Sequence, residues 1–356
     1  MASKSEVSWF SALCDDDYEF LGQPDPRLQS SFEHCRNIIL GAEKGGFDNV
    51  LLPSGYALGI DGTAIAGAVG ALTTRIKMLL AVRCGEMWPP QLARQLASLD
   101  QILNGRLTIN IISSDLPGAP LESAPRYRRT LEVMNIVRTL MNGEDLAFEG
   151  EFFQLQLDAP RNCKDRRRAP PYYFGGLSDN ARDVAAQAAD VFLMWPDTTP
   201  NVQEILDDMR KRAAAYDRSL KFGYRVHVIV RETEDEARAY AARLMSKLDA
   251  DVGKATREKS LDHASVGVQR QAMMRDAADE DGFAEDHLWT GIGRARSGCG
   301  AAIVGDPDQV LAKIKSYQEM GFEAFIFSGY PHAQECDLFA RYVLPQLDHG
   351  PLEIST

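Results

Sequence analysis

Eight times along this 356-residue chain a short apolar run is followed by a longer amphipathic segment, and that alternation leaves few folds open. The apolar runs are Val7–Ala12, Asn49–Leu52, Lys77–Val82, Leu107–Ile112, Tyr172–Phe174, Val191–Met194, Phe222–Val230 and Ala324–Ser328. The segments with helical spacing after them are Leu28–Gly45, Thr63–Leu72, Pro90–Leu103, Arg126–Asn142, Ser178–Ala189, Val202–Tyr216, Thr233–Leu248 and Ala333–Leu347. Eight βα units in series predict an α/β fold, a (β/α)8 TIM barrel closed around parallel strands, as one domain over residues 1–356. Two segments interrupt the repeat. Residues 145–157 (DLAFEGEFFQLQL) alternate around Glu149-Gly150 and predict an inserted hairpin. Residues 249–286 are polar and poor in large apolar side chains; they precede the eighth strand and predict a mobile lid insertion. Gly305-Asp-Pro-Asp308 then opens the helix that runs to Met320 and leads into the eighth strand.

The seventh strand carries the most unusual chemistry. Side chains alternate along a strand, so Phe222, Tyr224, Val226, Val228 and Val230 form one apolar face suited to lie under helices. The opposite face then turns Arg225 and His227 into a barrel interior that branched aliphatic residues usually fill. Either Arg225 pairs with a buried carboxylate, or the two residues form an anion site.

The other strand ends supply what an active site would draw on. They read Asn110-Ile-Ile-Ser-Ser-Asp115, Tyr173-Phe-Gly-Gly-Leu-Ser-Asp179, Met194-Trp195 and Ser328-Gly-Tyr-Pro-His332. Aromatic rings and hydrogen-bond donors converge there without paired carboxylates or a Ser-His-Asp spacing, which favours a cofactor that brings its own chemistry. Gly175 and Gly176, with Ser178 at the helix N-cap, suit a phosphate, and Tyr127 or Arg126 are possible further donors. Gly291-Ile-Gly293 lacks the third glycine of a dinucleotide fingerprint.

Bulk properties narrow the partners. A net charge of −12 argues against nucleic acid or an anionic membrane surface. No stretch reaches the roughly 18 apolar residues of a membrane span, and no basic leader precedes an apolar run, so a cytoplasmic location is expected. The 6 cysteines are scattered without paired spacing and read as reduced thiols. The histidines show no ligand spacing, so no metal is expected.

Taken with their neighbours, the blocks Arg225-Val-His-Val-Ile-Val-Arg-Glu-Thr233, Leu288-Trp-Thr-Gly-Ile-Gly-Arg-Ala-Arg-Ser-Gly298, Val304-Gly-Asp306 and Ser328-Gly-Tyr-Pro-His332 are diagnostic. They resemble the FMNH2-dependent alkanesulfonate monooxygenases, a branch of the bacterial luciferase-like flavin family, from Trp9 to about Leu347. The resemblance implies a two-component system in which a separate NAD(P)H-dependent FMN reductase supplies reduced FMN. With O2 the enzyme would oxygenate the carbon bearing a sulfonate, giving an aldehyde and sulfite; such enzymes are usually homodimers or homotetramers. Matched residue by residue, Trp195, Arg225, His227, Arg296 and Tyr330 fall on the family's active-site positions. Arg225 would hold the sulfonate or steady the oxygenating species, His227 would donate a hydrogen bond or proton, and Tyr330 would position substrate or oxidant. Arg296 would close over flavin from the edge of the lid, and Trp195 would flank its ring. Asn110, Tyr127, Gly175, Gly176 and Ser178 would bind FMN.

The chain departs from that pattern in two loops. Where simple alkanesulfonate monooxygenases carry a cysteine, it reads Pro53-Ser-Gly-Tyr-Ala-Leu-Gly-Ile-Asp-Gly62, and its third-strand loop Arg83-Cys-Gly-Glu-Met-Trp-Pro-Pro90 adds Glu86 and Trp88. A carboxylate and an indole are suited to hold a sugar, so a polar organosulfonate such as sulfoquinovose is the expected substrate. A plain alkanesulfonate is the alternative. A deazaflavin-dependent oxidoreductase on the same barrel is a further rival.

Overall fold

The computed structural model describes residues 4–56, 59–165, 168–249 and 265–354, with 251 and 253 between them. Thirteen strands are formed in the described residues: β1 Glu6–Phe10, β2 Asn49–Leu52, β3 Lys77–Arg83, β4 Leu107–Ile112, β5 Leu146–Glu149, β6 Gln154–Leu157, β7 Tyr172–Gly175, β8 Val191–Met194, β9 Lys221–Val230, β10 Phe283–Glu285, β11 Leu288–Trp289, β12 Ala302–Gly305 and β13 Phe322–Ser328. Strands β1, β2, β3, β4, β7, β8, β9 and β13 pair in parallel in that order, and β13 returns to β1. The barrel is closed, with eight parallel strands, as the repeat requires. All eight strands fall within two residues of the sequence expectation at either end. Strands β5 and β6 pair antiparallel as the inserted hairpin.

The helices start where the sequence supplies caps. Ser31, Asp61, Ser178 and Ser265 each accept a backbone N–H of the first turn, and Thr233 and Asp306 complete capping boxes with Glu236 and Gln309. Each such cap stabilises its helix by about 1 kcal/mol. The helices bury their apolar faces against the outward residues of the strands. On β9 these are Phe222, Tyr224, Val226, Val228 and Val230, all in the main core.

The barrel interior is layered. Leu51, Leu79, Tyr173, Val191, Leu193, Ala324 and Ile326 fill its middle as a separate apolar cluster, with Phe10 above. Below them, at the amino-terminal end, buried Glu6 accepts from Tyr173 Oη at 2.6 Å, Asn49 Nδ2 at 3.1 Å and Leu352 N at 3.1 Å.

The segment before the eighth barrel strand carries secondary structure of its own. Its residues 250, 252 and 254–264, where much of the expected lid falls, lie outside the described residues. The described part contains the helix Val266–Asp276 and the short strand β10, and the small strands β11 and β12 follow it. The cause lies in β9. Its lower half pairs with the four-residue β8, from Lys221 to Tyr224. Beyond Tyr224 the strand outruns β8, and β12 takes its free edge from His227 to Val230. β11 and β10 then extend the sheet antiparallel. The loop between β11 and β12 is thereby carried over the carboxyl end of the barrel.

Candidate active site

Strand parity decides what faces the mouth of the barrel. On β9 the inward positions are Gly223, Arg225 and His227, the alternates of the helix-facing residues. Arg225 is buried, with its guanidinium carbon 4.6 Å from the centre of the Phe10 ring on β1. Among the described residues no carboxylate pairs with it, and its Nη1 has no hydrogen-bond partner. Burial lowers its pKa, and the nearby Arg296 pushes the same way. His227 is fully buried; its Nδ1 lies 2.7 Å from Ser328 Oγ on β13, while Nε2 has no partner among the described residues. Burial, then Arg225 and Arg296, drive His227 well below the usual histidine range, so it stays neutral at physiological pH.

Tyr330 stacks on His227, with ring centres 5.1 Å apart. Its hydroxyl accepts from Arg296 Nη1 at 2.6 Å, and burial keeps the phenol protonated by raising its pKa. Arg296 also pairs with buried Asp16 at 3.0 Å. Burial alone would weaken its charge, but Tyr330 and Asp16 outweigh burial and raise its pKa. The pair is therefore part of the mouth, not a surface salt bridge. His332 completes the group: it stacks on Phe10 at 5.3 Å, and neither of its ring nitrogens has a partner among the described residues. Its backbone N–H donates to Asp17, which fixes the turn after β13.

Trp195 follows β8 and is half-buried under the loop just described. A Cβ on Gly267 would stand 3.2 Å from its ring and one on Gly298 3.6 Å, so both glycines let the backbone lie against the indole. Gln271 tightens the same corner, donating to Pro196 O and accepting from Gly300 N.

A quarter-turn round the barrel from β9, Gly175 and Gly176 form the turn after β7. A Cβ on Gly175 would meet Leu193 O at 2.3 Å; Gly176 has φ +147° and a Cβ there would meet Ala181 at 2.6 Å. Only glycine fits, and bare backbone faces the mouth. The Tyr127 hydroxyl lies 3.4 Å from that Gly176 Cβ position, and Ser178 Oγ caps the following helix by accepting from Ala181 N. Arg126 is engaged elsewhere, donating to Asp115 at 2.8 Å. Asn110 is buried on the inward face of β4, between Ala81 and Tyr173 in register. Glu86 is exposed and pairs with Arg83 at 3.1 Å, while Trp88 stands exposed on the rim. Thus Arg225 and His227 of β9 meet Tyr330 after β13 and Arg296 from the β11–β12 loop, and Trp195 follows β8. Asn110, Gly175, Gly176 and Ser178 lie on or just after β4 and β7, with Tyr127 on the helix Ser123–Met141. Glu86 and Trp88 stand apart on the loop after β3.

Sequence reasoning singled out neither Asp16 nor His332 nor Arg83. Asp16 sits in an irregular segment with no periodicity to place it. His332 and Arg83 were detectable, since both stand where a barrel strand ends.

This geometry fits a known class. The luciferase-like monooxygenase family model matches residues 19–324, and the chain belongs to that family. It is 66% identical to the sulfoquinovose monooxygenase of Novosphingobium aromaticivorans, over 98% of each chain. It is 48% identical to the sulfoquinovose monooxygenase of Agrobacterium fabrum, over 96% of this chain and 90% of that protein. Among solved structures, a riboflavin lyase crystallised with modified FMN and riboflavin superposes with a TM-score of 0.78 at 17% identity, covering 97% of this chain and 91% of that one. Among the described residues, no helix is long and apolar enough to cross a membrane.

Proposed function

We propose that this chain uses reduced FMN and O2 to cleave the carbon–sulfur bond of sulfoquinovose, releasing sulfite and leaving an aldehyde. The observation that carries this reading is the unpartnered polar set at the mouth, Arg225 Nη1 and His227 Nε2, in a chain two-thirds identical to a sulfoquinovose monooxygenase. Buried donors of this kind are normally satisfied, and a sulfonate offers three acceptor oxygens.

The same residues fit a flavin. The glycine turn exposes backbone beside Tyr127 and Ser178, the environment a phosphate takes, and Trp195 offers an aromatic face. Bound there, reduced flavin supplies two electrons and the activation of O2; a separate NAD(P)H-dependent reductase would deliver it. Arg225 holds the sulfonate by donating from Nη1. His227, neutral, meets the reacting group with Nε2, oriented from behind by Ser328. Tyr330 gives a hydrogen bond from a phenol whose oxygen is already held by Arg296. The loop bearing Arg296 and Gly298 keeps water from the mouth. In the net reaction one atom of O2 ends on carbon as the aldehyde and the other as water. The C–S electron pair leaves with sulfur as sulfite.

The test is O2 uptake and sulfite release with enzymatically reduced FMN. Sulfoquinovose should give both in equal amounts, with hexanesulfonate slow or silent. No sulfite from sulfoquinovose would overturn the reading.

A further inference from the structure

Arg83 is the last residue of β3, and Leu79, Ala81 and Arg83 share its inward face, because Leu80 and Val82 lie in the helix-facing core. The strand order places β3 directly across the closed barrel from β9, four strands away in either direction. Arg83 therefore opposes Arg225 and His227 over the mouth. Its side chain is 95% buried, a costly place for a guanidinium. One edge is held: Nη2 donates to Ser54 O at 3.2 Å. Nε lies 3.1 Å from Glu86 Oε1, an ion pair without hydrogen-bond geometry, so Nε too makes no hydrogen bond among the described residues. Nη1, buried, has no partner among the described residues. Cys14, half-buried just after β1, lies within electrostatic reach of both Arg83 and Arg296.

A single sulfonate cannot use all of this. Arg225 Nη1 and His227 Nε2 already face the anion of that reading on the β9 side, and the phosphate turn lies on β7, a quarter-turn from both β3 and β9. The donor left over faces the end of the substrate opposite the sulfonate. We propose that Arg83 reads the ring hydroxyls of a polyhydroxylated sulfonate, with Glu86 as the positioning residue that fixes its guanidinium. This inference rests on the substrate reading above and names the residue that carries its specificity. It also revises the role of the third-strand loop: Glu86 acts through Arg83, and the exposed Trp88 is not needed. A site built to hydrogen-bond hydroxyls discriminates strongly against a ligand lacking them, because its buried donors are then left unpaired.

The experiment compares the unaltered enzyme with Arg83→Met, Arg83→Lys and Glu86→Gln, each with reduced FMN. Sulfite release is followed for sulfoquinovose and hexanesulfonate, and anaerobic fluorescence titration measures FMNH2 affinity. Arg83→Met should raise KM for sulfoquinovose about 30- to 100-fold, with a smaller change in kcat and FMNH2 affinity kept. Its preference for sulfoquinovose over hexanesulfonate should shrink by a similar factor. Arg83→Lys should recover part of the loss, and Glu86→Gln should raise KM about 3- to 10-fold. An unchanged KM in a folded variant overturns the proposal, as does a loss confined to FMNH2 affinity, which would make Arg83 a flavin contact. If Arg83→Met does not fold, the Arg83→Lys and Glu86→Gln shifts decide. Failure of the unaltered enzyme to release sulfite from sulfoquinovose would defeat the substrate reading and this inference together, and it is seen before any variant is made.

Discussion

The two ends of the barrel bury charge in opposite ways. At the amino-terminal end Glu6 is fully buried, and both its oxygens are taken by Tyr173, Asn49 and the Leu352 N–H, with Lys77 at 3.9 Å. At the carboxyl-terminal end Arg225, His227, His332 and Arg83 are as deeply buried, yet each keeps a polar atom with no partner among the described residues. The desolvation penalty is similar, but only the first end recovers it within the fold. Charge that is satisfied internally supports the barrel. Polar groups left unsatisfied at the end where barrel enzymes do chemistry are the ones the proposed function assigns to a ligand.

The sharpest way to break this contrast is Arg225→Ala. Sulfite release should lose about 10³-fold in kcat/KM, while urea denaturation shows a stability change within about 1 kcal/mol, since no buried carboxylate is stranded. A large stability loss with turnover kept per folded molecule would make Arg225 structural and erase the distinction.

Glu6→Gln probes the other end. One acceptor oxygen becomes an NH2 facing the Leu352 N–H or the Tyr173 hydroxyl, leaving buried donors opposed. Stability should fall by about 2–3 kcal/mol in urea titrations, with kcat/KM of the folded fraction unaltered within twofold.

The smallest effect concerns pH. His227 stays neutral in the folded chain, because burial and neighbouring cations lower its pKa, but protonates below about 6.5 when unfolded. The unfolded state then binds more protons, so the stability contribution is present above about pH 6.5 and is lost as pH falls below it. The slope should approach about 1.4 kcal/mol per pH unit for this histidine, with His332 shifted in the same direction. Urea midpoints between pH 5.0 and 7.5 should flatten in His227→Asn but retain the His332 share. An unchanged slope would place the titration elsewhere.

Much of this was legible in the chain. The period-2 pattern of Phe222–Val230 correctly turned Arg225 and His227 inward, because strand parity is a local property that a buried face enforces. The glycine turn at Gly175-Gly176 was equally plain, since only glycine fits it. The same parity applied to Lys77–Arg83 turns Arg83 inward, so this residue too is legible from its strand. The strands β10, β11 and β12 were not legible: two to four residues long, they owe their form to the free edge that β9 presents. Asp16 was hidden for a similar reason, since its partner Arg296 lies 280 residues away.

By itself the sequence determined the number of βα units, the inward face of each long strand and the residues able to carry chemistry, because periodicity and turn chemistry act over a few residues. Only the tertiary structure decided which of these share a space: β3 across from β9, Arg296 on Tyr330, and which buried donors go without a partner. Those depend on barrel closure and on pairings between distant segments, which no local pattern encodes.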